Sequence, residues 1–277
     1  MKYLVIPDVH QKLDKLERVF KKVQKFDKLV SLGDWFDNFN DTPEDSMHTA
    51  MRILDLYEEL GDNFIWLLGN HDVPYVFPET YDLLRCSGNT AVKLATIQKV
   101  FEGKLNKRKV KLAYRIKHTK KKDIVLSHAG VSRYHFATIN GNLSSKRVLT
   151  LCDEALDRLH AREDNPMIGG YEPILMAGRA RMGRLPVGGI TWQDWNLEFR
   201  PHPQISQIVG HTPTRNPQVI DGNGSAIAPS EGTLETGLSY HLETGVSYNF
   251  NIDTHLNHYM IIENGKITIH TNYDPID

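Results

Sequence analysis

Short apolar runs separated by amphipathic segments dominate the first two thirds of this chain. Five of them are typical of buried β-strands, and they span residues 3–7, 28–32, 64–68, 124–126 and 205–209. Between the first two runs, apolar side chains recur at helical spacing, at Leu13, Leu16, Val19, Phe20 and Val23. Strands that alternate with helices indicate an α/β protein in which helices pack on a largely parallel sheet.

A second helix is predicted to begin after Thr42. The sequence Thr42-Pro43-Glu44-Asp45 supplies a capping hydroxyl and a proline in the first turn, and both are common at helix N-termini. Apolar side chains follow at helical spacing, and we interpret them as the stripe that faces the core: Met47, Ala50, Met51 and Leu54.

From Val110 the helical pattern ends: Val110, Leu112, Tyr114 and Ile116 alternate with Lys109, Lys111, Arg115 and Lys117, which predicts a half-exposed strand. Residues 259–262 and 266–270 predict a hairpin closed by Asn264-Gly265. The 277 residues fit one large domain or two small ones, and no linker separates the motifs described below, so we expect a single domain over 1–277. Within it we expect a variable segment at about 75–108 and a flexible loop at about 221–247.

Polar side chains stand at the ends of all five apolar runs. They occur in Asp8-x-His10, Gly33-Asp34-x-x-Asp37, Gly69-Asn70-His71-Asp72, Ser127-His128-Ala129-Gly130 and Gly210-His211-Thr212. Strand ends on one edge of a sheet bring such side chains into one site. Carboxylate, amide and imidazole ligands together suit Mn, Fe or Zn. Six candidate ligands are too many for one metal with an open position but fit two bridged metals: Asp8, His10, Asp34, Asn70, His128 and His211.

These five segments, in this order between residues 8 and 212, resemble the signature of the calcineurin-like metallophosphoesterases. The resemblance implies a two-sheet β-sandwich flanked by helices, with mixed parallel and antiparallel strands. It also implies two divalent ions, the first held by Asp8, His10 and Asp34 and the second by Asp34, Asn70, His128 and His211. We expect Mn²⁺, with Fe, Zn, Co and Ni as alternatives. A hydroxide shared by the ions would attack phosphorus.

His71 and Asp37 are predicted to be the catalytic pair. His71 adjoins the candidate ligand Asn70 and could protonate the leaving oxygen, and Asp37 would orient the ring and stabilise its charge. The alternative for His71 is a structural histidine outside the metal shell. Asp72 is expected to secure the loop through hydrogen bonds from backbone amides.

Two departures from the family pattern bear on the substrate. Pro213 stands where nuclease-like and cyclic-nucleotide-diesterase-like members carry a second histidine, which resembles the branch of serine/threonine protein phosphatases and symmetrical dinucleoside-tetraphosphatases. That branch carries Arg-Gly after the second motif, where this chain has Asn38-Phe39. A guanidinium is well suited to bind phosphate. We therefore expect at least one other arginine to do so, from Arg133, Arg179, Arg181 and Arg184.

Positive charge is concentrated in residues 104–122, which contain ten Lys or Arg and no acid, although the whole chain has a net charge of −1. One interpretation is a track for nucleic-acid phosphates. We favour the exposed face of an edge strand, where lysines prevent edge pairing, because only Tyr114 offers a ring for base stacking.

Two cysteines without a Cys-x-x-Cys argue against disulfides and thiolate metal sites. No signal peptide or membrane-length apolar run is present, so we expect a cytoplasmic location without membrane contact.

The sequence therefore predicts a dinuclear metal-dependent hydrolase of phosphomonoesters or phosphoanhydrides. Its substrate would be a phosphorylated small molecule, a dinucleotide or a phosphoprotein. A phosphodiesterase or nucleic-acid end-processing enzyme is the first alternative. A metal-dependent binding scaffold without turnover is the second, and the presence of both His71 and Asp37 argues against it.

Overall fold

Two mixed β-sheets form the centre of the fold. The computed structural model describes residues 1–119, 122–136, 144–164, 172–233, 235–242 and 246–273. In the first sheet, β1 (Lys2–Ile6), β2 (Lys28–Ser31) and β3 (Phe64–Trp66) run parallel. Three antiparallel strands extend this sheet beyond β1, in the order β10 (His258–Glu263), β11 (Lys266–Thr271) and β8 (Leu238–His241).

The second sheet has parallel strands in its middle and antiparallel strands at both edges. Its parallel strands are β5 (Lys122–Ser127), β6 (Ser206–Val209) and β9 (Tyr248–Asn251). The edge strands are β4 (Ala113–Thr119), next to β5, and β7 (Gln218–Asp221), next to β9. The predicted two-sheet architecture with mixed strand directions is confirmed.

Helices pack on the outer faces of both sheets. They are α1 (Leu13–Lys22), α2 (Pro43–Leu60), α3 (Val73–Val76), α4 (Tyr81–Leu84), α5 (Ala91–Phe101) and α6 (Ser145–Asp164). The predicted start of α2 is confirmed, because the Thr42 hydroxyl accepts from the backbone N–H of Asp45 while the Asp45 carboxylate accepts from that of Thr42.

Two apolar clusters account for the layering. One lies between the sheets and joins side chains of the first, such as Val30 and Leu32, to side chains of the second, such as Leu126 and Phe250. The other lies between the helices and the outer faces of both sheets, and it includes Trp35, Phe36, Trp66, Val125 of β5 and residues of α1, α2, α5 and α6. Because both faces of the parallel strands are largely buried, polar side chains along them need hydrogen-bond partners, as Gln207 of β6 has in Asn249 of β9.

Three details of the sequence interpretation change or gain support. The stripe proposed for α2 was wrong at Met51, which is 48% exposed, because Ile53 and Leu56 face the core instead. The segment predicted as a loop at 221–247 contains β8, which pairs with β11; residues 234 and 243–245 lie outside the described chain. The hairpin at Asn264-Gly265 is confirmed, with φ angles of 49° and 82°.

Four of the ten cations of the basic run pair with acids from other elements. Lys107 pairs with Glu163, Arg108 with Asp157 (3.8 Å), Lys109 with Asp62 (2.9 Å) and Arg115 with Asp123 (3.2 Å). Since β4 is also an edge strand, the structure favours the edge-strand interpretation over a nucleic-acid track; Lys120 and Lys121 lie outside the described residues.

Among the described helices, none combines the length and apolar character needed to cross a lipid bilayer.

Candidate metal and catalytic site

The six candidate ligands meet at the carboxyl ends of strands from both sheets. Asp8, Asp34 and Asn70 follow β1, β2 and β3 of the first sheet, whereas His128 and His211 follow β5 and β6 of the second. His10 lies on the turn after Asp8. All except His10 are at least nine-tenths buried. The predicted convergence is therefore present, but it involves strand ends of two sheets and not the single sheet edge that the sequence interpretation assumed.

The second of the two predicted ligand groups is the tighter one. Nε2 of His128 lies 3.2 Å from Asp34 Oδ2, 3.1 Å from Asn70 Oδ1 and 3.0 Å from His211 Nδ1. Nδ1 of His128 donates to the carbonyl of Leu32 (2.9 Å), so this bond fixes the ring and its tautomer. One nitrogen faced by three acceptor atoms cannot satisfy them all with a single proton. A divalent cation at this point would satisfy all four.

The first ligand group is more open. Nε2 of His10 lies 4.0 Å from Asp8 Oδ2 and 3.8 Å from Asp34 Oδ2, and its Nδ1 donates to the carbonyl of Phe36 (2.9 Å). Asp8 is held in place by the backbone N–H of His211, which lies 3.1 Å from both carboxylate oxygens. Asp34 belongs to both groups, because its carboxylate faces His10 on one side and His128 on the other.

Burial and neighbouring charges shift the pKa values of the candidate ligands. Burial, then the nearby charge of Asp253, raises the pKa of Asp8 well above its usual range. Burial also acts to lower the pKa of His128, but Asp34 and Asp8 raise it to about 9. Burial and the charge of His128 lower the pKa of His211 well below its usual range. Asp8 and Asp34 are buried carboxylates that require positive charge close by, which fits a metal site.

Unusual backbone conformations place several of these side chains. The φ angles of His10, Asp34 and His211 are 42°, 48° and 68°, in the left-handed region that residues other than glycine seldom adopt. Gly69 allows the loop after β3 to approach Asp34, since a Cβ at this position would overlap the Asp34 carboxylate. Backbone strain and close approach of this kind concentrate at functional sites.

The predicted catalytic pair is in hydrogen-bonding contact. Nδ1 of His71 lies 3.0 Å from Asp37 Oδ2, and the backbone N–H of His71 donates to Asp34 Oδ1 (2.9 Å). Burial acts to lower the pKa of His71, but the charge of Asp34 and the contacts with Cys86 and Asp37 raise it well above its usual range. The ring is therefore held next to the metal ligands with Nε2 left for another partner.

Asp72 has the role that its position suggested. Its carboxylate accepts from the backbone N–H groups of Trp35 (2.8 Å) and Gly69 (3.0 Å) and from the indole N–H of Trp66 (3.2 Å). These bonds tie the loop that carries Asn70 to the loop that carries Asp34. Asp72 is therefore a residue of the supporting structure, as predicted.

A cleft of about 530 Å³ opens over the site, and four of the candidate ligands line it together with His71 and Asp37. Arg181 also lines the cleft; its Nε lies 3.0 Å from Asp194, and its guanidinium donates to the hydroxyl of Thr212. Arg179 and Arg184 are exposed and do not line it, and Arg133 is exposed with its guanidinium over the ring of Tyr134. Of the four arginines, the structure places Arg181 at the site.

Three charged residues near the site escaped the sequence interpretation. Lys12 lines the cleft, and burial followed by the charge of Lys15 lowers its pKa. Asp253 is 1% exposed just after β9, and its charge acts on Asp8 and His10. The sequence could have indicated Asp253, because it follows a strand as the candidate ligands Asp8 and Asp34 do. Lys93 is buried at the start of α5, and nothing in its sequence context distinguishes it from a surface lysine.

Solved structures with the same fold include two structures described as cold-active protein tyrosine phosphatases. The cold-active protein-tyrosine phosphatase of a psychrophilic Shewanella species is 16% identical, with a TM-score of 0.52, and the alignment covers 98% of this chain and 78% of that one. Another cold-active protein tyrosine phosphatase structure is 14% identical, with a TM-score of 0.55 and coverages of 98% and 76%. A metallophosphoesterase from Sphaerobacter thermophilus is 18% identical, with a TM-score of 0.47 and coverages of 98% and 88%. At these identities the similarity to the two protein-tyrosine phosphatase structures concerns the fold alone.

A match to a family profile shows the family to which the chain belongs. The profile described as calcineurin-like phosphoesterase matches residues 1–221, which include all six candidate ligands. No curated protein matches the chain. The profile spans most of the sequence, and His and Asp side chains that could hold metal ions are clustered within the matched residues. The chain therefore belongs to the calcineurin-like phosphoesterases, a metal-dependent family of phosphoric ester hydrolases.

Proposed function

We propose that this protein hydrolyses phosphomonoesters or phosphoanhydrides with two divalent ions bridged by Asp34. The main support is that Asp34 Oδ2 lies 3.8 Å from Nε2 of His10 and 3.2 Å from Nε2 of His128, so one carboxylate faces both ligand groups. Two divalent ions there would lower the pKa of a shared water and neutralise charge on the phosphoryl oxygens. Mn²⁺ suits the mixture of oxygen and imidazole ligands without thiolate.

The chain's own residues supply proton transfer and phosphate binding. Asp37 engages Nδ1 of His71, which leaves Nε2 to protonate the leaving oxygen at the cleft. Arg181 and Lys12 both line the cleft and present cations to phosphoryl oxygens. Pro213, which also lines the cleft, adds no ligand after His211, so the first ion keeps more positions for water and substrate.

Metal content provides the first test. Protein reconstituted with excess Mn²⁺ should contain about two ions per chain by elemental analysis. Asp34→Asn should lose both ions because it removes the shared charge, whereas His211→Ala should mainly weaken the second. Asp55→Asn, on the exposed face of α2, is the matched control. An active sample with one ion or none would contradict the dinuclear proposal.

Leaving-group dependence tests the role of His71. His71→Ala should lower kcat by about 10²–10⁴-fold on an alkyl phosphate, whose alkoxide must be protonated as it leaves. The loss should be much smaller on nitrophenyl phosphate, because nitrophenolate departs without a proton. Equal losses on the two substrates would assign His71 a structural role instead.

Substrate class is tested with paired esters and paired arginines. A terminal phosphoryl group has three free oxygens, which can contact both ions and a cation, whereas a diester has two. Nitrophenyl phosphate should therefore be hydrolysed faster than its bis-ester. Arg181→Ala should raise KM for the monoester, while Arg179→Ala, two residues away and exposed, should not. A strong preference for the bis-ester or RNA would promote a phosphodiesterase.

A further inference from the structure

A buried lysine lies behind the proposed proton donor. Lys93, in the first turn of α5, is 5% exposed. Its Nζ lies 3.1 Å from Asp37 Oδ1, 2.7 Å from the Asp41 carboxylate and 2.9 Å from the carbonyl oxygen of Gly88. An ammonium group has three N–H donors, and all three are used. Burying it costs several kcal/mol unless such partners compensate, so its position requires an explanation.

Asp37 receives four donors, two on each carboxylate oxygen. Oδ1 accepts from the hydroxyl of Tyr75 (2.8 Å) and from Lys93, and Oδ2 accepts from Nδ1 of His71 and from the side-chain amide of Asn89. A carboxylate bonded at both oxygens from two directions cannot rotate without breaking several of these bonds. Oδ2 therefore stays directed at His71.

The backbone around Lys93 supports the same geometry. The hydroxyl of Thr90 caps α5 by accepting from the backbone N–H of Lys93 (3.2 Å), and Gly88 packs so closely on Asp37 that a Cβ there would lie 2.8 Å from the Asp37 Cβ. A salt bridge with Asp41 alone would anchor the helix. The additional bond to Asp37 connects the helix start to the catalytic pair.

We infer that Lys93 is a positioning residue, which fixes the Asp37 carboxylate and through it keeps the ring of His71 oriented for proton donation at the cleft. This inference rests on the proposed function, because it presupposes that His71 acts as an acid. It assigns a role in the reaction to a residue that has no contact with the metal ligands in the hydrogen bonds of the described chain.

The test compares Lys93→Met with Lys99→Met. The methionine keeps the length of the side chain and removes its charge, and Lys99 is exposed on the same helix. Lys93→Met should lower kcat about 10–100-fold on an alkyl phosphate, a part of the full contribution of a general acid. It should change kcat on nitrophenyl phosphate less than about threefold, with both metal ions retained. Lys99→Met should match the parent enzyme on both substrates.

Further variants separate positioning from folding. Lys93→Arg keeps the charge and should recover most of the lost rate on the alkyl phosphate. If Lys93→Met does not fold, Lys93→Gln, which retains an N–H donor, is the substitute. Its kcat should fall on the alkyl phosphate and not on nitrophenyl phosphate, by a smaller factor than expected for Lys93→Met. Equal losses on both substrates, or no loss on either, would overturn the inference. His71→Ala, assayed in parallel, separates the proposed function from the role of Lys93. If His71→Ala loses more activity on the alkyl phosphate than on nitrophenyl phosphate and Lys93→Met does not, the proposed function stands and only the role of Lys93 is refuted.

Discussion

Acid is expected to destabilise this protein through His258, the first residue of β10. Its side chain is 1% exposed, and Nδ1 lies 2.9 Å from the hydroxyl of Thr254. Nε2 is buried and has no hydrogen-bond partner among the described residues. Burial lowers the pKa of His258 to about 4. The folded protein therefore holds this imidazole in its neutral form.

The sign and size of the effect follow from linkage. The pKa of a histidine in the unfolded chain is about 6.5, so on acidification the unfolded chain takes up this proton first. The stability contributed by neutral His258 is complete above about pH 6.5 and is lost as the pH falls toward 4. A difference of about 2.5 in pKa corresponds to a loss of at most about 3 kcal/mol over this range.

Urea unfolding at several values between pH 7 and pH 4 measures the loss. His258→Gln removes the titrating group, so its free energy of unfolding should fall less steeply with acid than that of the parent. Other titrating groups contribute equally to both proteins and cancel in the difference. His241→Gln, at an exposed histidine, should follow the parent curve. Parallel curves for the parent and His258→Gln would refute the reasoning.

Two further predictions concern the loop after β3 and the basic run. Gly69→Ala should cost both metal ions and activity, because the new Cβ would overlap the Asp34 carboxylate; Gly103→Ala, where a Cβ meets nothing within 4 Å, should retain its metal, as elemental analysis can show. The basic run of residues 104–122, in which four cations pair with acids, should bind single-stranded RNA no more tightly than the non-specific range of about 10⁻⁴–10⁻⁶ M at physiological salt. A gel-shift Kd well below that range would instead assign the run to nucleic acid.

The sequence predicted those features that depend on strand ends. Asp8, Asp34 and Asn70 follow parallel neighbours, and the ends of such strands meet whatever the details of packing. The apolar runs likewise predicted strands that alternate with helices, because burial on both faces leaves a recognisable sequence pattern. The two-sheet architecture was implied by the family resemblance and not by these runs.

Features that depend on packing between distant elements were not predictable in this way. Lys93 reaches Asp37 only because α5 packs against the loop after β2, and its sequence context matches that of any helical lysine. Arg181 lines the cleft while Arg179 does not, although both lie in one short helical turn next to Met182, which has a φ of 60°. Met51 was misplaced because two faces of α2 carry apolar residues, and only the neighbouring structure decides between them.

The candidate ligands come from both sheets, so metal binding would affect the stability of the fold as well as the reaction. An ion held between Asp34 and His128 would join the two layers of the sandwich, through residues far apart in the chain. Metal bound only by the folded state at 1,000 times its Kd stabilises that state by about 4 kcal/mol. Chelation should therefore loosen the sandwich as well as stop the reaction. A cell short of this metal would then lose the protein itself to proteolysis, so that metal supply would control its abundance together with its activity.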